Sequence, residues 1–543
     1  MSKSVIFIAD VFADEVLGGG ELNNEELIGL LTKSGYTVSK MKSHVMTPSF
    51  IQSNPDSFYI VSNFIRLDQA SRSALMETGR YVIYEHDHKY LASRNPATYS
   101  YFHAPAAELR NYFFYKNAQR VICQSNFHKE IIEKNLEIDT VLSVGGNLWS
   151  IETLEHLRQN AQKSKEDKCS IMNSPIPHKN TAKAAAYCNS NGLTFDLVAD
   201  SNPIAFVDKL GKNKTFVFFP GTPETLSRIV VEARMMGMGV KTNALVGATS
   251  EDWFALKGIE LIDVMTEKRS EINNIFINEI EAAAQQGPQE EYPEVSIITT
   301  FFEGDGFLDD FLDNITKQTI INKCEVVIVD TGSQGDEAKT IRKYQQAWPQ
   351  IKYVRTEERL KPTVGLNMAI KNSTGKYLTF AFLDDRKSLE CVETLLAELR
   401  TSPGTDLVYG ECLTTKVKNE TFEDSSSTEP FEHSTFNFSR ENMIKCLPGP
   451  MPMWRREVHE QHGLLDQDNC DYADDWEMWL RAVSGGAKFK KVDKAVGLYF
   501  EGGRSQQLAN TAQRKEEAQL FYKYAHLFGA NFYSYKPYFD QFV

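Results

Sequence analysis

Two stretches decide the fold of the second half of this chain: Val295-Ser-Ile-Ile-Thr-Thr-Phe-Phe-Glu-Gly-Asp-Gly306 and Glu325-Val-Val-Ile-Val-Asp-Thr-Gly-Ser333. Each begins with an apolar run and ends in small or polar residues, a pattern typical of strands buried in a parallel sheet. Ligands of such sheets bind beyond the carboxyl ends of the strands. Thr300, Glu303 and Asp330 are therefore predicted to contact a ligand.

Two pairs of adjacent carboxylates lie further along the chain, Asp384-Asp385 and Asp474-Asp475. A metal-assisted transferase needs one carboxylate to hold a cation on a diphosphate and another to deprotonate the attacking hydroxyl. Simpler interpretations stay open, because Asp330-Thr-Gly-Ser333 also suits a turn and Asp474-Asp475 also suits a helix N-terminus.

The order of these motifs resembles the family 2 glycosyltransferases of GT-A fold over residues 293 to about 505. The motifs that carry the resemblance are VSIITTFF from 295, FLDDFLDNITKQT from 307, VVIVDTGS from 326, GLNMAI at 365–370, GKYL from 375, FLDD ending at 385, WRREV at 454–458, GLLD at 463–466 and DDWEMWLR at 474–481.

That resemblance implies a nucleotide sugar, with UDP as the favoured nucleotide, and a catalytic Mn²⁺ or Mg²⁺. Asp385 would bind the cation on the diphosphate. Asp475, beside Asp474, would deprotonate the acceptor hydroxyl and so invert the anomeric carbon. The implied donor-binding residues are Thr300, Glu303, Asp330, Asn367 and Asp384.

Two features depart from the family pattern. Arg386 follows the first acidic pair where many members have another acid, and Tyr499-Phe-Glu-Gly-Gly-Arg-Ser505 lacks the histidine that members often carry after the last strand. Metal number and coordination are therefore left open by the sequence.

The first half alternates short apolar runs with helical patterns, which predicts parallel sheets with right-handed crossovers. We expect an α/β region over 1–285 with two Rossmann-like subdomains, about 1–164 and 165–285, separated by a charged surface loop at 162–168. The Gly- and Pro-containing stretch 286–292 is the predicted linker to a domain at 293–543 that ends in an aromatic tail.

This half resembles the GT-B family 4 glycosyltransferases in Gly18-Gly-Gly-Glu21, Asn147-Leu-Trp149, His178-Lys-Asn180 and the segment 220–237. The resemblance implies that Lys179 contacts a donor phosphate and that a Glu-x7-Glu element holds the sugar and ribose. The implied second-site residues are Gly19, Gly20, Lys179, Glu224 and Glu232. The half is either a second active transferase or a degenerate module that binds acceptor or acts as a scaffold.

Three smaller segments carry expectations of their own. In Glu85-His-Asp-His88, the two histidines would share one face of a strand, but no third and fourth metal partner is evident, so a sugar-contacting or loop-structuring role is favoured over zinc. The polar segment 418–432 is predicted to be a mobile insertion. The aromatic tail is expected to pack on the second half or on a partner.

Composition narrows the class of protein. The 543 residues carry a formal charge of −14, which disfavours nucleic acid as a partner. Eight scattered cysteines and the absence of an apolar run of spanning length indicate a cytoplasmic protein with at most peripheral membrane contact.

The sequence thus predicts a hexosyl- or pentosyltransferase, with one or two active sites, that acts on a glycan or polysaccharide acceptor. Two alternatives remain: glycosylation of hydroxylated bases in viral DNA, and a non-catalytic carbohydrate-binding scaffold.

Overall fold

The computed structural model describes residues 3–285, 293–304, 306–503 and 511–543. The predicted linker at 286–292, together with Arg504 and Ser505, lies outside the described residues. The chain divides into two compact units: the first holds Met1–Ala104 and Asn111–Gln289, and the second holds Pro105–Arg110 and Glu290–Val543.

The first unit contains two parallel sheets with helical crossovers. The larger has the order β2-β1-β3-β4-β5-β6 and the smaller the order β10-β9-β7-β8. The strands of the larger sheet are β1 (Ser4–Ala9), β2 (Thr37–Lys42), β3 (Phe58–Val61), β4 (Tyr81–Tyr84), β5 (Arg120–Cys123) and β6 (Val141–Ser143). Those of the smaller sheet are β7 (Glu166–Met172), β8 (Phe195–Val198), β9 (Asn213–Val217) and β10 (Gly239–Lys241). The predicted α/β class of this half, with parallel sheets, is confirmed.

The helices of this unit cover the sheet faces and also join the two cores. They are α1 (Gly19–Lys33), α2 (Pro48–Ser53), α3 (Gln69–Thr78), α4 (Tyr112–Lys116), α5 (Asn126–Leu136), α6 (Ile151–Ala161), α7 (Thr181–Ser190), α8 (Pro203–Leu210), α9 (Arg228–Met235) and α10 (Ile259–Gln285). In α10, Leu261 and Met265 pack in the core of the smaller sheet, whereas Ile272 and Phe276 pack in that of the larger. One helix therefore contributes to both cores.

Two local predictions in this unit were wrong. The charged loop expected at 162–168 is shorter, because α6 ends at Ala161 and β7 already begins at Glu166. Those charged residues extend the strand where its side chains are exposed, so they carry no apolar periodicity. The segment Glu85–His88 follows β4 rather than continuing it.

The second unit is built on a mixed eight-stranded sheet of order β13-β12-β11-β14-β17-β16-β18-β15, in which β13, β12, β11 and β14 run parallel. Its strands are β11 (Val295–Phe301), β12 (Cys324–Asp330), β13 (Ile351–Arg355), β14 (Tyr377–Phe380), β15 (Arg386–Lys387), β16 (Leu407–Thr415), β17 (Met453–Arg455) and β18 (Phe489–Phe500). Every residue of β12 is buried, as its continuous apolar run predicts. The α/β fold class is confirmed here too.

Eight helices are described in this unit: α11 (Leu308–Thr316), α12 (Glu337–Ala347), α13 (Pro362–Asn372), α14 (Cys391–Thr401), α15 (Glu457–His462), α16 (Asp474–Ser484), α17 (Thr511–Lys523) and α18 (Gly529–Phe539). The last two form the aromatic tail, in which Phe521 stacks on Phe532 and Phe539 with ring centroids 4.8 and 4.3 Å apart. The tail has its own small core.

The polar insertion at 418–432 is tied to its surroundings at several points. The Asn419 side chain donates to the Gly306 carbonyl at 2.8 Å, and the Leu389 N–H donates to Glu423 Oε1 at 2.9 Å. The Thr414 N–H also donates to the Glu429 carbonyl at 2.8 Å. These bonds connect the insertion to β16 and to the loop after β11.

Across the described ranges, no helix combines the length and apolar character needed to cross a membrane.

Candidate active site

Three adjacent parallel strands of the second unit deliver polar residues to one edge of the sheet. β11 lies between β12 and β14, and the register pairs Thr300 with Val329 and Phe301 with Asp330. Asp384 and Asp385 follow β14 on the other side of β11. The predicted ligand residues therefore come together, because parallel strands end at the same edge.

Asp330 is held in one orientation. It is 1% exposed, its Oδ1 accepts from the Ser333 N–H at 2.9 Å, and its Oδ2 accepts from the Tyr353 hydroxyl at 2.7 Å. Arg355 lies 3.6 Å from the same Oδ2. Glu303 has φ of 54° and donates its backbone N–H to Ser333 Oγ at 2.8 Å, which joins the loops after β11 and β12.

α13 connects this strand edge to the second acidic pair. A Cβ on Gly365 would lie 2.1 Å from Thr300 Oγ1, so the helix approaches β11 closely only because this residue is glycine. Two residues earlier, the Thr363 hydroxyl donates to Asp474 Oδ2 at 2.6 Å. Asn367 binds the Leu465 carbonyl and Gln467 Oε1, each at 2.9 Å, and so fixes the loop before α16.

The acidic pair at the start of α16 has an unusual electrostatic environment. Burial and the neighbouring carboxylate of Asp475 raise the pKa of Asp474 to about 6. Burial also raises the pKa of Asp475, although the Trp476 N–H donates to its Oδ1 at 2.7 Å and the Cys446 thiol donates to its Oδ2 at 3.5 Å. A carboxylate whose pKa is raised in this way is a stronger base once ionised, as general-base catalysis requires.

The first acidic pair lies where β14 ends. Asp385 is 6% exposed and its Oδ1 accepts from the Phe500 N–H at 3.1 Å, whereas Asp384 is only half-buried. Burial and Asp384 raise the pKa of Asp385 well above its ordinary value, and burial raises that of Asp384. The side chain of Arg386 turns inward and donates to the Leu383 and Asp385 carbonyls, both at 2.7 Å.

This chemistry fits a divalent cation that is held mainly by its substrate. Two desolvated carboxylates of raised pKa lie side by side, and a bound cation would stabilise their ionised forms. Within the described ranges, no cluster of three or more His, Cys, Asp or Glu side chains could hold a metal alone. The remaining ligands would be diphosphate oxygens and water. Asp384 is the more open of the two carboxylates.

In the first unit, the structure brings the predicted second-site residues into two groups. Lys179 Nζ lies 2.7 Å from Glu224 Oε1 in the smaller-sheet subdomain. Glu232, in α9, accepts from Trp149 Nε1 at 2.9 Å and from Arg228 Nε at 3.1 Å. The glycine pair at the start of α1 adjoins the second group, since a Cβ on Gly19 would lie 3.7 Å from the Arg228 side chain.

His86 lies beside the same glycine turn, 3.6 Å from a Cβ built on Gly20, and its Nε2 bonds Asn24 Oδ1 at 2.8 Å. Burial lowers the pKa of His86 to about 3, so the ring is neutral near pH 7. His88 instead bonds the Tyr90 hydroxyl at 2.8 Å. The two histidines therefore have different partners.

Several residues of the candidate site were missed by the sequence interpretation. Thr363 stands two positions before the motif at 365–370. Its polar side chain next to a motif could have identified it as a candidate site residue. Tyr353 lies in β13, the strand that follows the Asp330 loop, and its side chain ends in a hydroxyl. Cys446 reaches Asp475, and Glu516 reaches the turn before the acidic pair, only through tertiary folding, and nothing in their local sequence marks them.

Residues 296–463 match the family model described as Glycosyl transferase family 2. The matched stretch runs from β11 to the helix α15, so it includes the candidate donor and metal residues but ends before Asp474. This part of the chain is a glycosyl transferase family 2 domain. The match is to a family of glycosyltransferases, and it lies within the second unit.

Individual relatives are distant. An uncharacterized glycosyltransferase of Methanocaldococcus jannaschii is 19% identical over 225 residues, which is 41% of this chain and 76% of the relative. The crystal structure of S. aureus TarS matches with 16% identity and a TM-score of 0.36, covering 44% of this chain and 42% of that one. The mannosyltransferase PcManGT from Pyrobaculum calidifontis, solved with GDP-Man and Mn²⁺, matches with 20% identity and a TM-score of 0.34, covering 44% and 65%. The chain thus spans less than half the length of that TarS chain.

Proposed function

We propose that the second unit transfers a sugar from a nucleotide sugar, with a UDP-sugar as first candidate, to a hydroxyl of a growing glycan or polysaccharide. The observation that carries the proposal is the convergence of Thr300, Asp330 and Asp384 at the ends of three adjacent parallel strands inside a family 2 domain. Open parallel sheets bind nucleotides at this edge.

In this proposal the rigid carboxylate of Asp330 accepts hydrogen bonds from the nucleoside, beside Thr300 and Glu303. Asn367 supports the donor side by fixing the loop that follows the matched domain. Asp384 and Asp385 would hold Mn²⁺ or Mg²⁺ on the diphosphate. The cation, when bound, would neutralise the charge that develops on the leaving group.

Asp475 is the proposed catalytic base. Its Oδ1 accepts from the Trp476 N–H at 2.7 Å, whereas its Oδ2 has only a long contact of 3.5 Å from the Cys446 thiol among the described residues. Oδ2 therefore takes the proton of the acceptor hydroxyl as that oxygen attacks the anomeric carbon. Attack opposite the leaving diphosphate inverts the configuration. The ionised Asp474, held by Thr363, stabilises the protonated form of its neighbour.

The test is nucleotide release from UDP-, GDP-, TDP- and CMP-sugars, with Mn²⁺ or with EDTA, by the intact chain and by Asp385→Ala and Asp475→Asn. We expect one nucleotide to be released with Mn²⁺, and each variant to lose about 100-fold or more in kcat. Gln519→Ala, an exposed change in α17, is the control variant. Release that persists in EDTA and in both variants would contradict the proposal.

A second donor site in the first unit is favoured by one observation. The family resemblance implies that Lys179 contacts the donor phosphate and that Glu224 contacts the sugar or ribose. The two side chains lie 2.7 Å apart. We propose that an anionic donor competes with Glu224 for this lysine. Glu232→Ala should abolish a second, EDTA-resistant nucleotide release and leave the metal-dependent one unchanged. Unchanged release of both kinds would leave this unit as a scaffold.

The same assay can distinguish a saccharide acceptor from a DNA acceptor. A saccharide acceptor should stimulate release at any moderate ionic strength. Stimulation by hydroxylated DNA instead, lost steeply with added salt, would favour the viral-DNA alternative.

A further inference from the structure

A carboxylate of the C-terminal tail binds the turn that leads into α16. Glu516, in α17, accepts hydrogen bonds from three consecutive backbone N–H groups. Its Oε2 accepts from Asp471 at 2.9 Å, and its Oε1 accepts from Tyr472 at 3.0 Å and from Ala473 at 2.7 Å. Hydrogen bonds to an ionised acceptor are about twice as strong as those between neutral groups. One side chain therefore fixes the conformation of a whole turn.

That turn needs an external partner. Ala473 occupies the N-cap position of α16 and has no side-chain oxygen to cap the helix. Its neighbours Asp471 and Tyr472 are exposed. Asp474 and Asp475 follow directly, so any rotation of the turn displaces both acidic side chains.

A second contact fixes the first turn of the same helix. The Tyr524 hydroxyl donates to Glu477 Oε1 at 2.7 Å, and Lys523 Nζ lies 3.2 Å from the same oxygen. Glu477 is buried and also pairs with Arg481. α16 is therefore attached to the tail through the turn that precedes it and through its own first turn.

The residue beside Glu516 adds an electrostatic contact. Glu517 pairs with Arg514 at 3.0 Å, and its charge acts on Asp475 in the direction that raises the pKa of that carboxyl. Among the described residues, the other titratable groups that face Asp475 are Asp474 on its own helix and the Cys446 thiol. Burial is the main cause of the raised pKa of the proposed base, and the charge of Glu517 adds to it from the tail.

We propose that α17 is a positioning element for the catalytic base, in which Glu516 holds the 471–473 turn so that Asp475 faces the acceptor hydroxyl. This inference rests on the proposed function of Asp475. Glu516 and Glu517 touch no substrate in this proposal and act only through α16.

The first experiment compares Glu516→Gln and Glu516→Ala with Gln519→Ala, an exposed change on the same helix. Glu516→Ala should lower kcat about tenfold or more, because a small displacement of a catalytic group is costly, while the donor KM and the affinity for free UDP stay within about twofold. Glu516→Gln keeps one acceptor oxygen and should fall between Glu516→Ala and the wild type. Gln519→Ala should match the wild type.

The second experiment is the pH dependence of kcat for Glu517→Gln, which leaves the Glu516 bonds intact. Removing the charge beside Asp475 should move the acid limb of the profile to lower pH, because the base then ionises more easily. Thermal midpoints close to that of Gln519→Ala show that Glu516→Ala and Glu517→Gln are folded.

Asp475→Asn separates the two proposals. Loss of activity in Asp475→Asn together with wild-type kcat in Glu516→Ala and an unshifted profile in Glu517→Gln would overturn the positioning role and leave the proposed function intact. Full activity in Asp475→Asn would overturn the assignment of the base and this inference with it.

Discussion

At the scale of single residues, the chemistry of the candidate site depends on two carboxylates that are desolvated and accept few hydrogen bonds. Asp474 and Asp475 are adjacent carboxylates in a desolvated position, and among the described residues each has one side-chain donor, Thr363 and Cys446 respectively. Their pKa values are raised as a result. The pH dependence of activity should therefore respond to changes in these two donors.

Thr363→Val tests this dependence. The change removes the hydroxyl that favours ionised Asp474, whose pKa is already about 6, so the pKa should rise further. If activity needs both carboxylates ionised, kcat should then begin to drop on acidification at a pH that is higher by roughly half a unit to one unit. Thr363→Ser keeps the hydroxyl and serves as the matched control. Superimposable profiles for Thr363→Val and Thr363→Ser would contradict the role of the hydroxyl.

At the scale of elements, α13 joins the donor edge to the proposed base. It carries Thr363 at its start and Gly365 against Thr300, and its Asn367 fixes the loop that precedes α16. The Gly-Leu-Asn-Met-Ala-Ile run at 365–370 is one of the motifs that carry the family resemblance. The reason for its glycine, close packing on β11, became visible only in the structure.

Gly365→Ala should therefore destabilise the second unit. The added Cβ would lie 2.1 Å from Thr300 Oγ1 and 3.0 Å from Thr331 Cγ2, so β11 and α13 must separate. We expect a loss of about 1–3 kcal/mol in the free energy of unfolding and a higher donor KM. Gly29→Ala in α1 is the control, because nothing lies within 4 Å of its added Cβ, and it should stabilise the first unit by up to about 1 kcal/mol. Chemical denaturation measures both; equal effects of the two changes would contradict the packing argument.

At the scale of the whole molecule, both units contain buried neutral histidines. Burial lowers the pKa of His128 and of His459 to about 3, and that of His462 to about 4. Such a group is protonated in the unfolded chain below about pH 6.5 but stays neutral in the fold, so its contribution to stability is present above 6.5 and is lost as the pH falls. The carboxyls with raised pKa act in the opposite direction, which makes a comparison between variants necessary.

His128→Gln provides that comparison. The stability difference from the wild type should be largest near pH 7 and should narrow by about 1.4 kcal/mol per pH unit below 6.5, because only the wild type must keep a buried imidazole neutral. Denaturation curves between pH 7 and pH 5 measure this difference. A constant difference for His128→Gln would contradict the expected linkage.

The sequence by itself determined the kinds of element and the chemistry at their ends. Continuous apolar runs such as 325–329 predicted buried parallel strands, and the polar residues that follow them predicted the strand-end edge where Thr300 and Asp330 now lie together. Both features are local, since periodicity and turn residues depend on neighbours in the chain. The charged beginning of β7 was misinterpreted for the same reason, because exposed strand residues carry no apolar pattern.

Only the tertiary structure decided which distant groups act on those residues. Thr363 reaches Asp474 across 111 positions, and Glu516 reaches the 471–473 turn from a tail whose aromatic composition indicated only packing. Hydrogen-bond partners, burial and the resulting pKa shifts depend on distances in the folded chain, and these have no counterpart in the spacing of residues along it.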